Sequence, residues 1–287
     1  NQKRLKELNM KIADTVKGNW VDKFAPRWIN PYLKLSRADR PIGTWLLLIP
    51  CWWGLALGIM RDQSLNFLDA WIFFGCAIGA ALMRGAGCTW NDIADRNLDG
   101  LVERTRNRPL PLGQVSIRKA VFWIVIQTVL ASAILFSFNK FTIFLGFLSL
   151  IPVVIYPFAK RFTWWPQLFL GIAFNWGVLL GYAAHTGTIH IATIFLYLSG
   201  IAWTLFYDTI YALQDIEDDA LIGIKSPARL FGKNSGNWLI LFVILGCIFM
   251  CASLLFVAQG FSLFLSFIGV LGFAGHNFWQ ISKLAPE

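Results

Sequence analysis

The sequence predicts an all-α fold, a polytopic transmembrane helical bundle. Three features predict it: 56% hydrophobic against 14% charged residues, eight apolar runs long enough to cross a bilayer, and basic residues confined to alternate connections. A soluble domain usually carries about 25% charged residues. A bilayer core of about 30 Å takes roughly 20 apolar residues per helix. Such runs fall near 42–60, 66–88, 118–137, 141–158, 165–184, 190–210, 238–258 and 261–279.

The first forty residues are mixed in charge, with Leu5, Leu8, Ile12 and Val16 at helical spacing. They read as a cytoplasmic amphipathic segment over 1–40, ahead of a transmembrane domain over 41–287. Break signals then separate most of the spans: Arg61-Asp62-Gln63, Asn139-Lys140, Lys160-Arg161, His185-Thr186-Gly187 and Gln259-Gly260. Gly75 and Gly79 offer a small-residue face for close helix packing in the second span. Trp52, Trp53, Trp164 and Trp165 sit near span ends, where interface anchoring accounts for them. The five cysteines lack any paired metal-ligand spacing and read as small buried hydrophobes. Asn175, polar within the fifth span, reads as an interhelical hydrogen-bonding residue, with cavity lining as the alternative. His185, His190 and His276 are ungrouped and receive no role.

Of the 25 Lys and Arg residues, only Arg61 and Lys140 fall on the side opposite the N-terminus. Positive charge concentrates on the cytoplasmic side of membrane proteins, so the N-terminus faces inward. The net charge of +9 is therefore an orientation signal, and no nucleic-acid partner is expected.

The carboxylates carry the chemistry. None occurs between Glu103 and Asp208, and nine of the sixteen acids fall in two clusters, Asp92/Asp95/Asp99/Glu103 and Asp208/Asp215/Glu217/Asp218/Asp219. Both follow spans on the inward-facing side. If the second helix continues past Trp90, Asn91, Asp95 and Asp99 share a face, with Asp92 alongside Asp95. Like charges so placed repel and call for a cation. Hard oxygen donors suit Mg²⁺, which takes one or two carboxylates and fills its octahedron with waters and substrate phosphates. Asp208, Tyr211, Asp215 and Asp219 repeat the helical spacing. Arg96, Arg104, Arg106, Arg108, Lys225 and Arg229 lie near in sequence and suit phosphate. An ion pathway would place its acids within the spans, and the third to fifth spans contain none.

At these residues the chain resembles the UbiA superfamily of intramembrane prenyltransferases. Asn91-Asp92-Ile-Ala-Asp95-Arg-Asn-Leu-Asp99 matches an NDxxDxxxD pattern and Asp215-Ile-Glu-Asp-Asp219 a DxxxD pattern. Arg37-Ala-Asp-Arg40-Pro41-Ile-Gly43-Thr44-Trp45, Arg104-Thr-Arg-Asn-Arg108-Pro109, Tyr207-Asp208-Thr-Ile-Tyr211 and Tyr156-Pro-Phe-Ala-Lys160-Arg161 are similar to the 4-hydroxybenzoate polyprenyltransferase branch. The likeness runs from about Pro31 to Gly232. It departs at Asn97 and Glu217, neither of them a core motif carboxylate. The resemblance implies nine helices where eight are visible.

The resemblance also implies a reaction, prenyl transfer from a polyprenyl diphosphate to the ring of 4-hydroxybenzoate in ubiquinone biosynthesis. Mg²⁺ would be held by Asn91, Asp92, Asp95, Asp99, Asp215 and Asp219. Arg161 or Arg96, and more weakly Arg40, would meet the acceptor carboxylate, with Lys160, Tyr211 and Lys225 also at the substrates. Other acceptors (naphthoate, homogentisate, haem) are the nearest alternatives, and a divalent-cation or solute transporter is the alternative from another class. The site would face the cytoplasm or matrix. With no Arg/Ser-rich transit segment visible, a bacterial plasma membrane is favoured over the mitochondrial inner membrane.

Overall fold

The computed structural model describes residues 18–100, 105, 107–214 and 225–284, without the side chains of 97, 98, 160 and 214. Its regular elements are helices: α1 (Trp20–Phe24), α2 (Asn30–Leu35), α3 (Ile42–Asp62), α4 (Phe67–Asp99), α5 (Ile117–Leu135), α6 (Lys140–Leu148), α7 (Leu150–Phe162), α8 (Pro166–Thr186), α9 (Ile191–Gln214), α10 (Pro227–Phe231), α11 (Ser235–Leu255) and α12 (Gly260–Lys283). A 3₁₀ turn, Gly232–Asn234, joins α10 to α11.

Among the described residues eight helical stretches are long and apolar enough to cross a membrane. They match the eight predicted runs. Two differ in an instructive way. The second helix continues to Asp99 and reaches 33 residues, or about 50 Å at 1.5 Å per residue, so its acidic end outruns a ~30 Å hydrocarbon core. The fourth span breaks at Ser149, between α6 and α7. Pro152 has no N–H for the carbonyl of Leu148, and the Ser149 hydroxyl instead donates to the Gly146 carbonyl at 2.6 Å.

The chain divides into two compact units, Asn1–Leu46 with Ala77–Leu135, and Leu47–Cys76 with Phe136–Glu287. In the first, the segment from Gly18 to Arg40 forms two short helices whose Val21 and Leu35 are fully buried. Residues 1–17, including Leu5, Leu8, Ile12 and Val16, lie outside the described part. Leu35 packs with Val115, Ala120, Tyr32, Ile93 and Leu110. Ser36 ties α2 to α5, donating to Gln127 Oε1 at 3.2 Å and accepting from Trp123 Nε1 at 2.8 Å. Gly85 of α4 leaves room for that Gln127 amide, which an added Cβ would strike.

In the second unit α3, α8 and α9 pack through Leu57, Val178, Tyr182, Ala192 and Leu196. The close approach is made at glycine. A Cβ on Gly54 would meet the Val178 carbonyl, and one on Gly181 the Cys51 carbonyl. The expected Gly79 face is not used, since a Cβ there would meet nothing within 4 Å among the described residues. Asn175 donates to the Gly171 carbonyl at 2.9 Å and to Thr204 Oγ1 at 2.8 Å, linking α8 to α9. That satisfies a buried amide and fulfils the interhelical expectation. Trp165, Phe231, Trp238 and Phe242 close the unit near α10 and α11. The five cysteines form no disulfide.

Candidate functional site

The first acidic run lies on the last turns of α4 and is helical, as its spacing predicts. Asp92, Asp95 and Asp99 are all buried, Asn91 is half-buried and Arg96 is exposed. Buried carboxylates need partners, and two arginines from outside α4 provide them. Arg37 Nη2 donates to Asp92 Oδ1 at 2.6 Å. Arg108 Nη1 donates to Asp99 Oδ2 at 2.9 Å and lies 3.3 Å from Asp92 Oδ1. Asp92 Oδ2 is buried and has no hydrogen-bond partner among the described residues.

Local sequence delivers each arginine. The turn after α2 is held by the Arg37 N–H to the Lys34 carbonyl and the Ala38 N–H to the Leu33 carbonyl. Trp20 Nε1 fastens it further, donating to the Ala38 carbonyl at 2.8 Å. Asp22 and Lys34 pair at 2.8 Å beneath it. On the other flank the Thr105 hydroxyl donates to the Asp99 carbonyl at 2.8 Å, and the Arg108 N–H to the Thr105 carbonyl at 3.0 Å. Arg108 is thereby set one turn beyond the acids. Arg40 donates to its neighbour Asp39 at 3.4 Å. Arg84, about two α4 turns before the run, lies against Gly43, where a Cβ would collide with its guanidinium.

In the second unit, Asp208 and Tyr211 stand on α9, Tyr211 exposed. Asp215 and Asp219 lie outside the described residues, as does the side chain of Lys160. Arg161 is exposed and stacks over Phe158 at 5.2 Å. Lys225 donates to the Phe162 carbonyl at 3.5 Å, and both Lys225 and Arg229 sit over the Trp164 ring, at 5.9 and 5.8 Å. Among the described residues, charged groups gather at the first acidic run and around Lys225. Sequence reasoning gave Arg37 no individual role.

A second charge cluster, centred on the buried His185 side chain, escaped it altogether. His185 stands between two carboxylates, Nδ1 at 2.6 Å from Asp69 Oδ1 and Nε2 at 2.9 Å from Asp62 Oδ2. Beside it Arg61 donates to the Tyr182 hydroxyl at 2.7 Å. In the adjoining connection, burial and then Arg61 push His190 below its ordinary range.

No three His, Cys, Asp or Glu side chains converge to enclose a metal ion among the described residues. An all-protein cage is not what Mg²⁺ needs, because it keeps waters and substrate phosphates as ligands. The orphaned Asp92 Oδ2, hard and anionic, beside Asp95 and Asp99 on one helix, fits such an ion.

Fold and site together define an intramembrane helical protein with an acidic, arginine-braced helix end. Residues 47–287 match the UbiA prenyltransferase family, and the chain belongs to that family. It is 50% identical over 216 residues to a protein named mitochondrial 4-hydroxybenzoate polyprenyltransferase from Rattus norvegicus, covering 75% of this chain and 57% of that one. The protein of that name from Arabidopsis thaliana is 43% identical over 264 residues, covering 92% and 63%. The one from Dictyostelium discoideum is 44% identical over 277, covering 96% and 58%. The chain thus spans little more than half the length of these curated relatives. Among solved structures, a UbiA homolog from Aeropyrum pernix K1 superposes with a TM-score of 0.70 at 23% identity, over 85% of this chain and 88% of that one. A homolog from Archaeoglobus fulgidus bound to GPP and Mg²⁺ gives 0.71 at 20%, over 90% and 89%. The shared fold is that of the family.

Proposed function

We propose that this chain transfers a polyprenyl group from a polyprenyl diphosphate to the ring of 4-hydroxybenzoate, as a Mg²⁺-dependent step of ubiquinone biosynthesis. The observation that carries the reading is the buried, arginine-braced run Asp92/Asp95/Asp99 at the end of a membrane span, in a chain 50% identical to a relative named for that activity. The same-fold homolog bound to GPP and Mg²⁺ supports the choice of donor and ion.

Asn91, Asp92, Asp95 and Asp99, with Asp215 and Asp219, are the residues that would hold Mg²⁺. The ion would supply neutralisation of the diphosphate, making it a better leaving group. Arg108, ordered by Asp99, offers a fixed planar donor for phosphate oxygens. Lys225 and Lys160 add positive charge for the same anion, and Arg161 or Arg96, more weakly Arg40, pairs with the acceptor carboxylate. The allylic C–O bond breaks with its electron pair leaving on the diphosphate. The ring carbon ortho to the acceptor hydroxyl forms the new C–C bond and releases its proton. The face of Tyr211 can shield the allylic cation. The site opens to the cytoplasm of a bacterium or the matrix of a mitochondrion, the latter in keeping with the names of the relatives.

The test is transfer of labelled polyprenyl diphosphate to 4-hydroxybenzoate by detergent-purified protein, with Mg²⁺ or with EDTA. Product that requires Mg²⁺ and vanishes in Asp95→Ala supports the reading. Product only with a naphthoate, homogentisate or haem acceptor replaces the acceptor. No product with any acceptor overturns the enzyme assignment.

A further inference from the structure

Arg37 is the observation that the reaction scheme leaves unexplained. Helix α2 ends in a Schellman turn: the Ala38 N–H bonds the Leu33 carbonyl at 3.0 Å and the Arg37 N–H the Lys34 carbonyl at 3.1 Å. The residue in Arg37's place in such a turn is left-handed and is usually Gly, sometimes Asn. Arg37 adopts φ 54 there, a conformation that L side chains enter only at a cost. It is also buried. A strained, buried arginine persists where its surroundings over-determine it, and such strain gathers at functional sites.

The guanidinium explains what holds it. Nη1 donates to the Lys34 carbonyl at 3.3 Å, and Nη2 to Asp92 Oδ1 at 2.6 Å. Arg108 approaches that same oxygen at 3.3 Å. Both arginines therefore engage Oδ1. Oδ2, equally buried, makes no hydrogen bond among the described residues. A carboxylate serving structure alone would share its two donors between its two oxygens.

We propose that Arg37 is a positioning residue: it pins Oδ1 of Asp92 so that Oδ2 is the single oxygen offered to a divalent cation. The proposal rests on the prenyl-transfer reading for the identity of that cation. A fork-shaped donor is required, because it holds the carboxylate in one plane, whereas an ammonium pivots around it. Partners of this kind orient a metal's ligands, and their loss typically weakens metal affinity about 10- to 100-fold.

The experiment is Mn²⁺ titration followed by electron paramagnetic resonance on the purified full chain, with and without inorganic pyrophosphate, beside a thermal melt. Arg37→Gly suits the test because glycine relieves φ 54 while removing the guanidinium. The expected result is a lower melting temperature, because buried Asp92 loses a charged partner, with the Mn²⁺ affinity of the folded protein reduced about 10- to 100-fold, and an intermediate affinity for Arg37→Lys. A folded Arg37→Gly that binds Mn²⁺ as tightly as wild type overturns the positioning role while leaving the metal reading intact. If Arg37→Gly fails to fold, Arg37→Lys decides, and wild-type affinity in that variant overturns the proposal. Wild-type protein that binds no Mn²⁺ under either condition overturns the metal reading and this proposal with it.

Discussion

Two acid clusters, one buried and one reaching the surface at Asp62, can be compared oxygen by oxygen. Around His185 each of the four carboxylate oxygens has a partner. Asp69 Oδ1 meets His185 Nδ1, and Oδ2 accepts from the Asn66 N–H at 2.7 Å. Asp62 Oδ2 meets His185 Nε2, and Oδ1 accepts from the Ser64 N–H and hydroxyl at 3.0 and 2.9 Å. Around Asp92 two permanent cations address one oxygen, and the other has no hydrogen-bond partner among the described residues. Buried polar groups are overwhelmingly paired, so an orphan calls for an explanation. The closed cluster fastens the ends of α3, α4 and α8, whereas the open one keeps one oxygen unpaired among the described residues.

The largest effect that separates them is catalytic. Asp95→Ala and Asp92→Asn should each reduce prenyl transfer by at least about 100-fold, since even outer-shell partners cost about 10- to 100-fold. Turnover at saturating Mg²⁺ checks this. His185→Ala should instead cost stability, on the order of 2–3 kcal/mol for carboxylates stripped of a buried partner, with Mn²⁺ affinity unchanged. Asp62 is substantially exposed, so most of that loss comes from Asp69. A melt in detergent measures it.

A packing change calibrates the second result. Gly54→Ala sets a methyl against the Val178 carbonyl and should cost about 1–3 kcal/mol by overpacking. A lower melting temperature with unaltered Mn²⁺ affinity would show that destabilisation alone does not reach the metal. The smallest effect concerns His190. Its Nδ1 accepts from the Ala192 N–H at 3.3 Å, so the folded protein favours the neutral ring. The folded protein then binds fewer protons than the unfolded chain between His190's lowered value and the ordinary ~6.5. Its contribution to stability is present above that range and is lost as pH falls through it. His190→Gln should flatten melting temperature against pH between about 7 and 5.

What was legible in the sequence follows the range of the forces involved. Apolar run length, a local property, located every span. Helical spacing correctly extended α4 through Asp99 and put its acids together. Side-chain pairing across distant positions left no local trace. His185 lies 116 residues from Asp69 and 123 from Asp62, and nothing around any of the three sets it apart. Arg37 was hidden for a different reason: a left-handed helix terminus is ordinarily marked by Gly, and the arginine there erases the mark. Small residues were only a partial guide, because Gly75 is buried whereas a Cβ on Gly79 would meet nothing within 4 Å among the described residues. The contact is made by Gly54 and Gly181. Asp215 and Asp219 stand on sequence alone.

The most direct test of the central claim compares Asp92→Asn with Asp69→Asn in one assay of Mg²⁺-dependent prenyl transfer to 4-hydroxybenzoate. The account predicts that Asp92→Asn loses turnover, whereas Asp69→Asn keeps the wild-type rate per folded molecule and melts at a lower temperature. Equal activity in the two variants, or loss confined to Asp69→Asn, would contradict it.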